Sequence, residues 1–266
     1  MKLRITPLLL AVSLLATSAQ AVIVSVNFQG RGQGTGTADL PGAAIAPGEV
    51  AGVMNVGNFN NISGAQYAPP DNAQGTGFTF TSPALNSSTG AATAITFNIM
   101  ANDSWNSGSG NATPNAKLLN GIIKSQNNND LTDQQLVPLN ILGLTPGNAY
   151  TLDIYTTENG AGANYSISNG ATTFYQGAQA GADWLLAPGF IKGTNTVAGT
   201  TGLPVVNYVE FTGVVGASGQ INIAHTWLSG SDGSGIAGFQ LNVIPEPAGL
   251  TLLGLGSLLA FRRRRK

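Results

Sequence analysis

The chain has no cysteine, a single histidine (His225) and few charges: 9% of its 266 residues are charged, against about a quarter in an ordinary soluble domain. Without cysteine there is no disulfide framework, no thiol nucleophile and no thiolate metal site. One imidazole excludes a multi-histidine zinc centre within one chain. Eleven basic against twelve acidic residues leave a formal net charge of -1, too little positive charge for a nucleic-acid binder. Long apolar runs are also lacking. The apolar stretches near the two ends both fall short of the ~20 residues that span a bilayer. Glycine, by contrast, is abundant at 36 residues, about twice the usual ~7%.

The ends read as addresses. Met1-Lys2-Leu3-Arg4 is basic, Ile5 to Leu15 is apolar, and Ala19-Gln20-Ala21 supplies small residues. This is the order of a secretory signal peptide cleaved after Ala21. At the other end, Pro245-Glu246-Pro247 precedes an apolar run from Ala248 to Phe261 and the cluster Arg262-Arg263-Arg264-Arg265-Lys266. As a helix the apolar run reaches about 21 Å at ~1.5 Å per residue, short of a ~30 Å hydrocarbon core. The basic cluster places its end in the cytoplasm and the bulk of the chain outside.

These residues carry a resemblance. Pro-Glu-Pro, a short Gly/Leu-rich apolar helix and a terminal Arg cluster, in that order over 245–266, resemble the PEP-CTERM sorting signal of Gram-negative bacteria. The resemblance implies export, transient residence of the tail in the inner membrane, and recognition by an exosortase-type enzyme. It also implies delivery to the envelope, outer surface or extracellular matrix, often alongside exopolysaccharide.

The near-neutral charge comes from these ends. Between Val22 and Ile244 only Arg31, Lys117, Lys124 and Lys192 oppose eleven acids; four against eleven is a net charge of -7. The central stretch is acidic, yet sparsely charged.

That stretch, 22–244, is expected to form one all-β domain. Val24, Val26 and Phe28 alternate with Ser25 and Asn27; Ile95, Phe97 and Ile99 with Thr96 and Asn98; Tyr150, Leu152 and Ile154 with Thr151 and Asp153. Period-two alternation marks half-buried strands. Phe78–Phe80, Asn164–Ser168, Thr172–Gln176, Val205–Val215, Gln220–Leu228 and Gly238–Ile244 are further strand expectations, rich in β-branched and aromatic residues. Thr145-Pro146-Gly147-Asn148 is expected to be a turn. Lys117–Lys124 reads as one helical turn or a strand, Asp130–Gln135 as a brief helix, and Asn102–Asn115 as a loop holding Trp105. Gly143–Tyr155 and Gly235–Leu241 resemble segments of galactose-binding-like domains. That likeness implies a jelly-roll-like antiparallel β-sandwich.

Catalytic signals are sparse. His225 shares a strand face with Ile221, Ile223 and Trp227, the setting of a packed, hydrogen-bonded core residue. There is no G-x-S-x-G elbow. We expect no catalytic residue and no enzyme. The alternative is a glycan-processing enzyme working through two carboxylates. A third reading is a purely structural surface or matrix component. No cofactor is expected; the oxygen-rich segments Asp71-Asn72, Asn128–Asp130 and Ser231-Asp232-Gly233 are candidates for a structural Ca²⁺, though such residues are common in turns. For glycan contact the candidates are Trp105, flanked by Asp103 and Asn106, and Trp184. An indole face stacks on sugar C–H groups while carboxylate and amide neighbours take hydroxyls. Exopolysaccharide is the expected ligand class.

Overall fold

The computed structural model describes residues 20–30, 43–63, 78–101, 103–106, 112–124, 136–158, 162–179, 189–230 and 235–246. Signal residue Ala19, Pro247 and the tail Arg262–Lys266 lie outside these, as do Trp184, the three oxygen-rich segments and the Asp130–Gln135 helix expectation. Among the described residues no helix is long and apolar enough to cross a membrane.

The strands in chain order are β1 (Val22–Phe28), β2 (Asn60–Ile62), β3 (Phe78–Thr81), β4 (Thr96–Ala101), β5 (Asp103–Asn106), β6 (Gly121–Lys124), β7 (Leu136–Leu142), β8 (Ala149–Thr157), β9 (Asn164–Ser168), β10 (Thr173–Ala178), β11 (Val205–Val206), β12 (Tyr208–Val214), β13 (Ile221–Ser229) and β14 (Gly235–Ile244). Among the described residues a short helix, α1 (Pro114–Leu118), is capped by Thr113, whose hydroxyl accepts from the Ala116 amide, a side-chain cap for an otherwise unpaired N–H.

Two seven-stranded sheets face each other in a sandwich-like pair. Sheet I runs β12-β8-β14-β1-β2, with β6 also pairing β14 and β5 pairing β6. Sheet II runs β11-β10-β9-β13-β7-β4-β3. The expectation of mostly β structure holds. The sheets are mixed, however, rather than wholly antiparallel: β1 and β2 run parallel, as do β10 and β11.

Alternation built the core. Val24, Val26, Leu152, Ile154, Phe239 and Leu241 from sheet I meet Phe97, Ile99, Leu139, Ile141, Tyr165 and Ile223 from sheet II in one buried cluster. Phe97 of β4 reaches across it. Its ring lies edge-on to Phe28 and to Phe239, each at 5.6 Å, the arrangement aromatic quadrupoles favour.

Several boundaries differ from the sequence expectation, each for a physical reason. The single run expected over Val205–Val215 is two strands. β11 pairs β10 in sheet II, whereas β12 pairs β8 in sheet I. Buried Asn207 stands at the switch, donating to Gln179 Oε1 (2.6 Å) and to the Gly189 carbonyl (3.1 Å) and accepting from the Ile191 amide (2.8 Å). The ambiguous Lys117–Lys124 segment is both things at once, the end of α1 followed by β6. β7 had no sequence expectation because Pro138 interrupts its pattern. The ladder from β4 ends at Ile99↔Leu139, so a residue lacking an N–H begins where pairing on that side has stopped. The expected turn is present: Asn148 N bonds the Thr145 carbonyl at 3.3 Å, and Gly147 takes a φ of 89° that side-chain-bearing residues avoid.

Residues 43–59 form a strap over the outer face of sheet I. Gly52 touches that face directly: a Cβ added there would lie 2.1 Å from Gln240 Oε1, and its φ is 79°. A second apolar cluster, including Ile45, Ala51, Leu118, Tyr155 and Tyr208, fills the space beneath the strap and α1.

Candidate functional site

Trp105 does not sit in a loop. Asp103, Trp105 and Asn106 lie on β5, where Trp105 pairs with Ile122 and Asp103 with Lys124. The Ser/Gly/Asn composition around them hid a four-residue strand, because pairing with β6 decides the backbone there and local propensity is weak. Asn106 is half-buried; the side chains of Asp103 and Trp105 lie outside the described residues, as does Trp184. Ala21 and Glu246 are both exposed, while Pro245 is half-buried.

His225 is fully buried on β13 and stacks on Tyr165, ring centroids 4.9 Å apart. Its packing agrees with the sequence reading. The hydrogen bonding does not: neither ring nitrogen has a partner among the other described residues. Burial holds its pKa down at about 4, so the ring is neutral at neutral pH. Trp227, expected in the core, is only half-buried, close to a register shift between Trp227 and Ser229.

A polar row crosses the outer face of sheet I. Ser25 of β1 faces Gln240 of β14, Gln240 faces Asp153 of β8, and Asp153 faces Glu210 of β12. Side chains directly opposite in antiparallel strands share one face. Gln240 is the hub. Its Nε2 donates to Ser25 Oγ (3.2 Å) and the Ala51 carbonyl (3.2 Å); its Oε1 accepts from the Met54 amide (3.1 Å) and the Tyr155 hydroxyl (2.6 Å). The Tyr155 oxygen accepts in turn from Val53 N at 2.7 Å. These bonds tie the strap to the sheet.

Asp153 and Glu210 are the paired carboxylates that the enzymatic alternative needs. Sequence reasoning missed the pair, because strand register is not written in either strand alone. Burial and the neighbouring Glu210 charge push the Asp153 carboxyl up to about 7. Glu210 is engaged by Lys192 Nζ at 2.7 Å. Asp153 is 1% exposed and its Oδ1 has no hydrogen-bond partner among the described residues. A general acid must lie within hydrogen-bond reach of its substrate, and Asp153 is closed off from solvent, with Glu210 and Lys192 as its charged neighbours. The pair is built into the structure rather than presented to a ligand.

Among the described residues there is no group of three or more His, Cys, Asp or Glu that could hold a metal ion. The outer face of sheet II is different in kind. Its strands contain no Asp, Glu, Lys or Arg. Asn98, Asn140 and Asn222 form a row across β4, β7 and β13, with Asn140 Nδ2 donating to Asn98 Oδ1 at 2.7 Å. Thr226, Ser166 and Tyr175 form a second row across β13, β9 and β10. Asn222 is exposed and the other five are half-buried. None of these six residues was singled out in sequence. The alternating Thr/Asn/Ser positions were the available signal, but which strands become neighbours is a tertiary property. Against protein-family models and curated proteins, the chain matches none.

Proposed function

We propose that this chain is an exported, non-enzymatic protein of the envelope or extracellular matrix that binds exopolysaccharide. On this reading residues 1–21 direct export. Residues 245–266 hold the protein in the inner membrane until an exosortase-type enzyme acts near Pro245-Glu246-Pro247. The sandwich is read as jelly-roll-like, in keeping with its largely antiparallel pairing.

The supporting observation is where the strands stop. β1 begins at Val22, immediately after Ala21, and β14 ends at Ile244, immediately before Pro245. Proteolysis at either signal would therefore leave every strand intact. The burial of Asp153 favours the non-enzymatic reading over carboxylate-pair hydrolysis. An epitope fused after Lys266 tests the sorting step in a host that carries exosortase. The expected result is a mature protein without the epitope; a surface-exposed product that keeps it overturns the proposal.

A further inference from the structure

We infer that the outer face of sheet II is the docking surface for an uncharged polysaccharide, with Tyr175 as the ring on which a sugar stacks. This rests on the polysaccharide-binding reading and adds where the polymer binds and which charge class it has.

The charge distribution comes first. The 22–244 stretch carries eleven acids and four bases, yet the seven strands of sheet II carry none of them. An anionic polymer is repelled by the domain as a whole and meets no cation on this face. A cationic polymer finds no carboxylate on these strands. A neutral chain loses nothing on either count.

The side chains also match sugar hydroxyls. A hydroxyl both donates and accepts, and so do Asn amides and Ser/Thr hydroxyls, whereas carboxylates only accept and ammonium groups only donate. The row Asn98–Asn140–Asn222 repeats such groups at the strand spacing of about 4.8 Å. Two rows further along β13, beyond the row of Ala224, Ser168 and Thr173, Tyr175 lies in line with Ser166 and Thr226. It offers a flat apolar ring with a polar tip beside two hydroxyls.

A protein partner fits less well. Protein interfaces are anchored by buried aromatic residues, Met and Arg. This face has no Arg on its strands, and its two large exposed apolar side chains among the described residues, Met100 on β4 at 48% exposure and Val205 on β11 at 55%, lie toward opposite edges of the sheet. Over β1 and β14 the corresponding face of sheet I is covered by the strap, with Ser25 and Gln240 fully buried.

Affinity electrophoresis of the full chain in mild detergent tests this. Gels contain hydroxyethylcellulose, dextran or galactomannan as neutral polymers, or alginate as an anionic one. The variants are Tyr175→Ala and Asn222→Lys on sheet II, with Thr212→Lys on exposed β12 as control and circular dichroism to verify folding. The expected result is retardation by at least one neutral polymer and not by alginate. Tyr175→Ala and Asn222→Lys should each weaken it about tenfold or more, and Thr212→Lys should leave it unchanged. Asn222 is exposed, so its variant reports on binding even where loss of the Tyr175 ring disturbs packing. Retardation unaffected by both sheet II variants overturns the location and leaves the polysaccharide reading standing. Preference for alginate overturns the charge class. No retardation by any polymer overturns the inference and the polysaccharide reading together. Self-association abolished by Asn222→Lys, without polymer binding, makes the face a contact between copies and overturns the inference.

Discussion

Val22 pairs with Val243 across the antiparallel β1–β14 ladder, so the two ends of the folded domain leave from the same end of sheet I. Both strands are interior to the sheet: β14 lies between β8 and β1, and β1 between β14 and β2. Among the described residues the sheet thus has its first and its last strand side by side in its interior. Folding of sheet I must wait for the C-terminal strand.

Truncation reads this directly. A chain of 22–246 should match the full chain in its urea midpoint, because the strands end at Ile244. Removing Val243 and Ile244 as well should cost about 1.5–3 kcal/mol, the worth of one buried aliphatic side chain. Val243 is buried in the main cluster. Equal midpoints for both truncations would contradict the pairing.

The strap depends on a phenol. Tyr155→Phe leaves the Val53 amide without its acceptor and Gln240 Oε1 with one donor fewer. An unpartnered buried polar group costs about 1–3 kcal/mol. The expected outcome is a loss of that size in urea unfolding, together with faster proteolysis within 43–59. Unchanged protection of the strap would show that the apolar cluster alone holds it.

His225 should make the protein acid-sensitive. Its folded pKa of about 4 lies below the ordinary 6.5, so the unfolded chain takes up the proton first. The stabilisation is fully present above pH 6.5 and is lost as pH falls from 6.5 toward 4. The full effect is on the order of 3 kcal/mol. His225→Phe should keep the ring stack and flatten this limb. Parallel stability curves for the two proteins over pH 4–6.5 would exclude the histidine as the cause.

Asp153 acts with the opposite sign. Its carboxyl is raised to about 7, so the folded chain holds the proton more tightly than the unfolded one. That contribution is present below about pH 4 and is lost as pH rises through 7. Asp153→Asn imitates the protonated acid. The variant should match the parent near pH 4 and become progressively more stable than it between pH 4 and 8. A constant difference across that range would refute the shift.

Phe97 bridges the sheets, edge-on to Phe28 and Phe239. Phe97→Ala should cost about 3–5 kcal/mol through lost burial and the cavity it leaves. Thermal denaturation is the check, and a loss below 1 kcal/mol would mean the sheets close over the gap.

Alternation alone made most strands visible, because a side chain's face depends only on whether its position is odd or even. Asn164–Ser168 is a strand with the same bounds in sequence and structure. β7 was hidden by Pro138, and β5 by its polar composition. The candidate sites were less legible. Trp105 was noticed because it is a large side chain among small polar ones, but its loop assignment was wrong. Asp153 and Glu210 were ordinary acids until β8 and β12 paired, and Asn140 was one asparagine among many until its strand lay between Asn98 and Asn222.

The sequence by itself determined the all-β character, the core faces and the extent of the acidic, low-charge stretch between two basic ends. Each follows from composition or from neighbours a few residues apart. Tertiary structure alone decided that β11 and β12 belong to different sheets, that Asp153 is buried opposite Glu210, and that charge is kept off the strands of sheet II. Those depend on which distant strands pair. That choice is set by the free energy of closing one shared core, which no single segment contains.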